Sequence, residues 1–116
     1  MPLEFAGVRT QTKFDGIFEF ISRRGRMKLL ELLIREMGSK SKVSAALRVS
    51  RSTISGWMND RNRHPSNSSV KRVLDLAWEV DPQETQRILD DELDAFRGEL
   101  VAFVRRGANN QKSMKN

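Results

Sequence analysis

The residues best suited to chemistry lie in S50-R-S-T-I-S-G-W-M58. At 3.6 residues per turn, Arg51, Ser52, Ser55 and Gly56 fall on one side of a short helix, with Thr53 nearby. Ile54, Trp57 and Met58 fall on the other. A face of small hydroxyls, a glycine and one arginine buries little and stabilises a helix poorly. It is, however, thin and rich in donors, and it lets a backbone come close to a large anion. The DNA major groove is ~12 Å wide and admits such a helix. Ser50 reads as an N-cap, and the helix start beyond it would offer free N–H groups to phosphate. Of the long donors, only Arg51 stands on the thin face, where it could make a bidentate contact to guanine.

Other chemistries find little purchase. The chain has no cysteine, hence no disulfide or thiolate site. His64 is the only histidine and sits beside Pro65 in a polar loop, which reads as a solvated side chain. Glu36, Asp90, Asp91 and Glu92 lack metal-ligand spacing and read as solvated helix faces. There is no phosphate-binding glycine loop, no His-Glu zinc motif and no nucleophile with a partner base. The expectation is a non-enzyme with no metal, cofactor or small-molecule ligand. Trp57 and Trp78 read as core residues rather than stacking platforms.

These residues need elements to hold them. Residues 1–26 read as an N-terminal arm, with a possible short helix over 15–22 from the spacing of Phe14, Ile17, Phe18 and Ile21. Arg23-Arg24-Gly25-Arg26 reads as a break after it, either a second phosphate-contacting arm or a solvated linker. Met27, Leu30, Leu33, Ile34 and Met37 mark an apolar helix face that stops at Gly38. Ser39 is an N-cap for a helix from Lys40 to about Leu47, with Val43, Ala46 and Leu47 facing inward. The next helix runs from Arg51 to about Asn59, and a polar loop follows over 60–67. Val70, Val73, Leu74 and Ala77 give another helix. Asp81-Pro82-Gln83-Glu84 reads as a capping box with proline at the first helical position. The last helix is expected to run from Pro82 to about Arg106, and 107–116 to be a flexible tail. No segment reads as a strand.

The stretch V43-S-A-A-L-R-V-S-R-S-T-I-S-G-W57 resembles the Cro/phage-repressor type of helix-turn-helix family, often called XRE-like. The shared pattern is an apolar residue, a small one, Leu, a turn, Val-Ser, two variable residues, Thr-Ile-Ser, one variable residue and Trp. The following N-D-R-N-R-H-P-S66 resembles the family's loop, and Val70, Val73 and Ala77 match its fourth helix. The resemblance covers about residues 27–90, with its core at 39–66. It implies an all-α, five-helix domain over 27–81, here with an N-terminal extension and a long C-terminal helix, that binds operator DNA, commonly as a dimer. It puts base readout at Arg51, Ser52, Thr53, Ser55 and Gly56, and phosphate contacts at Lys40, Ser41, Asn59, Arg61 and Arg63. Three residues depart from the pattern: Ser44 replaces the usual Ala, Met58 the frequent Glu, and Arg48 the turn Gly. The turn position is usually left-handed, which costs a residue other than glycine roughly 1 kcal/mol.

Charge agrees with an anionic partner. The 116 residues carry a net +6. Residues 1–74 hold 15 Lys/Arg against 6 Asp/Glu, whereas 75–116 hold 6 against 9. A basic first part is the footprint of a nucleic-acid binder. No run approaches the ~18 apolar residues of a membrane span, and no signal pattern opens the chain; the reading is a soluble, cytoplasmic protein. Leu89, Leu93, Phe96, Leu100 and Phe103 form a heptad-like stripe, with Ile88 and Val104 beside it. It suits a homodimer seam over 82–106, or else packing onto the chain's own domain. The acidic surface around it would be repelled by DNA. The expectation is a sequence-specific double-stranded DNA-binding transcriptional regulator. Two alternatives remain: a partition or architectural protein that coats or bridges DNA, and a non-DNA helical module such as an antitoxin or adaptor.

Overall fold

The computed structural model describes residues 17–60 and 63–115. Among them the chain is all-α. A 3₁₀ turn at Ile17–Phe20 precedes five α-helices: α1 (Arg23–Met37), α2 (Lys40–Leu47), α3 (Arg51–Asn59), α4 (Asn67–Val80) and α5 (Pro82–Lys115). No strand occurs among the described residues. Phe14 and the rest of the expected arm before residue 17 lie outside them.

The helix starts follow local capping chemistry. Ser22, Ser39, Ser50 and Ser66 each accept a backbone N–H three residues on, closing α1, α2, α3 and α4 at their first turns. Asp81 does the same for α5, accepting from the Glu84 N–H at 3.1 Å. The capping box is only half made there, because the Glu84 carboxylate turns to Arg87 and the Asp81 N–H bonds to Ala77. At the end of α1, Gly38 adopts φ 99° and its N–H returns to the Ile34 carbonyl, a left-handed cap that glycine takes without strain.

Three boundaries differ from those read in the sequence. α1 begins at Arg23, so Arg23-Arg24-Gly25-Arg26 is its first turn and neither a break nor a linker. The segment 15–22 contributes only the 3₁₀ turn among its described residues. α5 continues to Lys115 instead of stopping at Arg106. Residues 107–115 have few apolar side chains, but they contain no proline. Once a helix is nucleated, each added residue gains a hydrogen bond.

The core is one cluster drawn from all five helices: Leu29, Leu30, Leu32 and Leu33 of α1, Val43 and Leu47 of α2, Ile54 and Trp57 of α3, Val73 and Ala77 of α4, and Ile88 of α5. α1 is its hub and touches α2, α4 and α5. Fully burying each such Leu, Ile or Val contributes about 1.5–3 kcal/mol. Ala46, expected to face inward, is exposed; Ser44 is buried in its place. Its hydroxyl donates to the Ser41 carbonyl at 2.9 Å, so the buried oxygen is satisfied. Trp57 is buried and Trp78 half-buried.

The proximal part of α5 packs on α1 and α4 through Ile88 and Glu92. Leu89 is half-buried. Beyond Glu92 the helix passes the 3₁₀ turn, where Ala95, Phe96 and Glu99 line a groove with Glu19 and Phe20, and then leaves the domain. With 34 residues it is about 51 Å long, which accounts for the 60 Å longest dimension of the molecule.

Candidate nucleic-acid interface

α2 and α3 are joined by Arg48, Val49 and Ser50. Arg48 takes φ 59° and ψ 43°, the left-handed conformation. Its N–H bonds to the Ala45 carbonyl at 3.3 Å, and the Val49 N–H reaches back to Ser44 at 3.0 Å. These are the two bonds of a Schellman cap, built here on an arginine rather than a glycine. Arg72 of α4 adds a third restraint by donating to the Leu47 carbonyl at 3.1 Å. The angle between α2 and α3 is thus held by backbone bonds and by a charged side chain from a third helix.

The start of α3 is also ordered. Ser50 Oγ accepts the Thr53 N–H at 3.0 Å and lies 3.0 Å from Ser52 Oγ and 2.8 Å from Thr53 Oγ1. Among the described residues, the amides of Arg51 and Ser52 have no acceptor, as expected at the open end of a helix. Ile54 and Trp57 anchor α3 in the core, and Met58 packs against its edge. The opposite side presents Arg51, Ser52 and Asn59 exposed, with Ser55, Gly56 and Thr53 half-exposed. The thin polar face read from the sequence is therefore on the surface, as a continuous strip along the helix.

The far end of α3 is pinned by a residue that the sequence reading placed in an arm. Arg23 donates to the carbonyls of Asp60 at 3.1 Å, Arg63 at 3.4 Å and Trp57 at 3.5 Å. It thereby joins the last turn of α3 and the loop after it to the first turn of α1. Three positions on, Arg26 is buried and donates to Pro65 at 2.7 Å, Ile21 at 2.8 Å, Phe18 at 3.1 Å and the Asn67 side chain at 2.9 Å. Burial lowers its pKa, against the opposing charge of Glu19. Arg23 and Arg26 are therefore structural cross-links, and only Arg24 of the three is exposed. A signal was present: Arg26 shares a helix face with Leu29, Leu30 and Leu33, the buried side of α1.

Glu92 is a second correction. It is buried rather than part of a solvated face, and its Oε1 accepts both the N–H and the hydroxyl of Ser22 at 2.7 Å. In a capping box a Glu at the third helical position bonds the N-cap amide. Here that position is Gly25, whose Cβ would overlap the Glu92 carboxylate. The glycine makes room for α5 to supply from a distance the carboxylate that α1 lacks.

Of the remaining expected positions, Lys40 opens α2 and is half-exposed, and Ser41 beside it is exposed. Arg61 lies outside the described residues. Arg63 is exposed, and its guanidinium rests against Gly56, where a Cβ would overlap it. Away from this surface, Leu93, Phe96, Leu100 and Phe103 are 52%, 46%, 51% and 66% exposed, so the domain's own core does not use them. Among the described residues no group of His, Cys, Asp and Glu is placed to hold a metal ion, and no helix is long and apolar enough to cross a membrane. No known family pattern matches the chain, and no curated protein or solved structure matches it.

Proposed function

We propose that the protein is a sequence-specific double-stranded DNA-binding regulator of the Cro/phage-repressor helix-turn-helix type, with α2 and α3 as the motif and α3 as the recognition helix. One observation carries this reading. α3 is anchored at both ends and on its apolar side, yet it leaves a thin, donor-bearing face exposed. A helix held this rigidly enters a groove at little ordering cost. The left-handed Arg48, at the place where the family's turn usually carries glycine, supports the assignment. So does the concentration of positive charge in residues 1–74. In this reading Arg51, Ser52, Thr53, Ser55 and Gly56 face the bases, while Lys40, Ser41, Asn59 and Arg61 lie toward the phosphates. The exposed stripe Leu89, Leu93, Phe96, Leu100 and Phe103 pairs two copies, which matches protein symmetry to a pseudo-palindromic site.

Selection of bound duplexes from a random pool tests the reading. A defined motif is expected to enrich. On that motif Arg51→Ala should cost about 1–3 kcal/mol and relax choice at one base pair. Lys40→Ala should weaken selected and unrelated duplexes alike and lower the salt slope by about one. Tight binding without enrichment would replace regulation with an architectural role. No binding to any duplex at moderate salt would remove DNA altogether. For assembly, Leu93→Asp combined with Phe96→Asp should give a folded monomer by light scattering and circular dichroism.

A further inference from the structure

Gly56 has no side chain with which to read a base, although it lies half-exposed on the polar side of α3. What occupies that place is the guanidinium of Arg63, which sits against the Gly56 backbone where a Cβ would be. We propose that Arg63 is a second base-reading residue, seated on α3 through Gly56, rather than a phosphate contact. This rests on the DNA-binding reading above.

Three observations bear on it. First, the backbone of Arg63 is fixed. Its N–H donates to the Asp60 carbonyl at 3.0 Å, and its own carbonyl accepts from Arg23 at 3.4 Å. The side chain therefore leaves a restrained loop and reaches back to the helix. Second, among the described residues the Arg63 guanidinium has no hydrogen-bond acceptor and no ion pair, so its planar fork of donors is available. An arginine used to cross-link the fold looks different, as the four bonds of Arg26 show. Third, positions 51 and 56 are five residues apart, or about 7.5 Å along a helix axis. Arg51 and Arg63 would thus present two separate forks from the polar side of α3, each suited to the O6 and N7 acceptors of guanine. The fork alone would suit a phosphate as well as a guanine edge; its seat against Gly56, on the polar side of α3, is what directs it to the bases.

The test uses the full chain, the enriched duplex and an unrelated duplex of equal length, with Arg63→Ala, Arg63→Lys, Gly56→Ala and the Gly56→Ala/Arg63→Ala pair. Arg63→Ala should weaken the enriched duplex by about 5- to 150-fold and the unrelated one by several-fold at most. A repeated selection should show preference relaxed at one base pair, separate from the pair lost with Arg51→Ala. Arg63→Lys should keep binding to the unrelated duplex without restoring that preference. Gly56→Ala should relax the same base pair, because its Cβ displaces the guanidinium. The double variant should then be no worse than Arg63→Ala alone. Circular dichroism confirms that each variant folds, and Arg63→Ala alters only an exposed side chain. Equal loss on both duplexes with an unchanged motif would overturn the proposal and return Arg63 to the phosphates, with the DNA reading intact. Relaxation at different base pairs in Gly56→Ala and Arg63→Ala would also overturn it. A wild-type chain that binds neither duplex would overturn this proposal together with the reading beneath it.

Discussion

The domain over residues 23–92 and the distal half of α5 follow opposite rules. In the domain, charged side chains hold backbone, Arg26 and Glu92 from buried positions: Arg23 on the end of α3, Arg26 on four acceptors, Arg72 on the end of α2, Glu92 on the start of α1. In distal α5, large apolar side chains are about half exposed or more, and among the described residues the core does not take them in. Polar groups are inside where apolar ones are expected, and apolar groups are outside where polar ones are expected. The physical reason differs between the two. Short helices leave many unpaired carbonyls and amides at their ends, and a bundle of short helices brings those ends indoors, where leaving them unmet costs about 1–3 kcal/mol each. A single long helix has only two ends, so its middle needs no such help. An apolar stripe there adds little to the core formed by the described residues, which suits it to the pairing proposed above.

If that contrast is right, substitutions should divide sharply between the two regions. Arg26→Met should have the largest effect, about 3 kcal/mol or more, because it strands buried carbonyls together with the Asn67 side chain. Urea unfolding followed by circular dichroism measures it. A loss below about 1 kcal/mol would mean that water reaches those carbonyls. Gly25→Ala should come next, at about 1–3 kcal/mol, since the new methyl group must push Glu92 off Ser22. Glu92→Ala in the same background should then cost little more, because the bond is already broken.

Arg48→Gly should act in the opposite sense and raise stability by about 0.5–1 kcal/mol, as glycine tolerates the φ of 59° that arginine holds under strain. An unchanged or lower midpoint would show that the Arg48 side chain contributes contacts that offset the strain. Phe103→Asp should have the smallest effect on folding. Measured at high dilution, domain stability should stay within about 0.5 kcal/mol of wild type. A large loss would place Phe103 in the chain's own core and erase the contrast between the two regions.

Much of the architecture was legible in the residues because it depends on short-range rules. Helix caps are local: a serine or aspartate followed by its amide three residues on marked three of the five starts, at Ser39, Ser50 and Asp81, whereas Ser22 and Ser66 were read as part of the arm and of the loop. Period alone put Ile54 and Trp57 inside and the thin face of α3 outside. What period could not reveal was the use made of individual polar groups. Arg23 and Arg26 read as an arm or a solvated linker because all the acceptors of Arg23, and two of the four of Arg26, lie 34 to 41 residues away, beyond any local pattern. Glu92 looked like one acid among several because its partner, Ser22, is 70 positions distant. Ala46 and Ser44 exchanged roles because a hydroxyl can bond the preceding turn and so enter a small buried space.

The sequence by itself determined five amphipathic helices, the capped starts of three of them, the thin donor face on α3 and an apolar stripe on the last helix. All of these follow from spacing along one element, where the relevant distances are set by 3.6 residues per turn. The tertiary structure alone decided which charged groups hold the fold and which remain free. It turned Arg23, Arg26, Arg72 and Glu92 into struts between helix ends and set the Arg63 guanidinium on Gly56. It also left the Leu93–Phe103 stripe outside the core. Those outcomes depend on which helix ends meet once the apolar faces have packed, and no single helix contains that information.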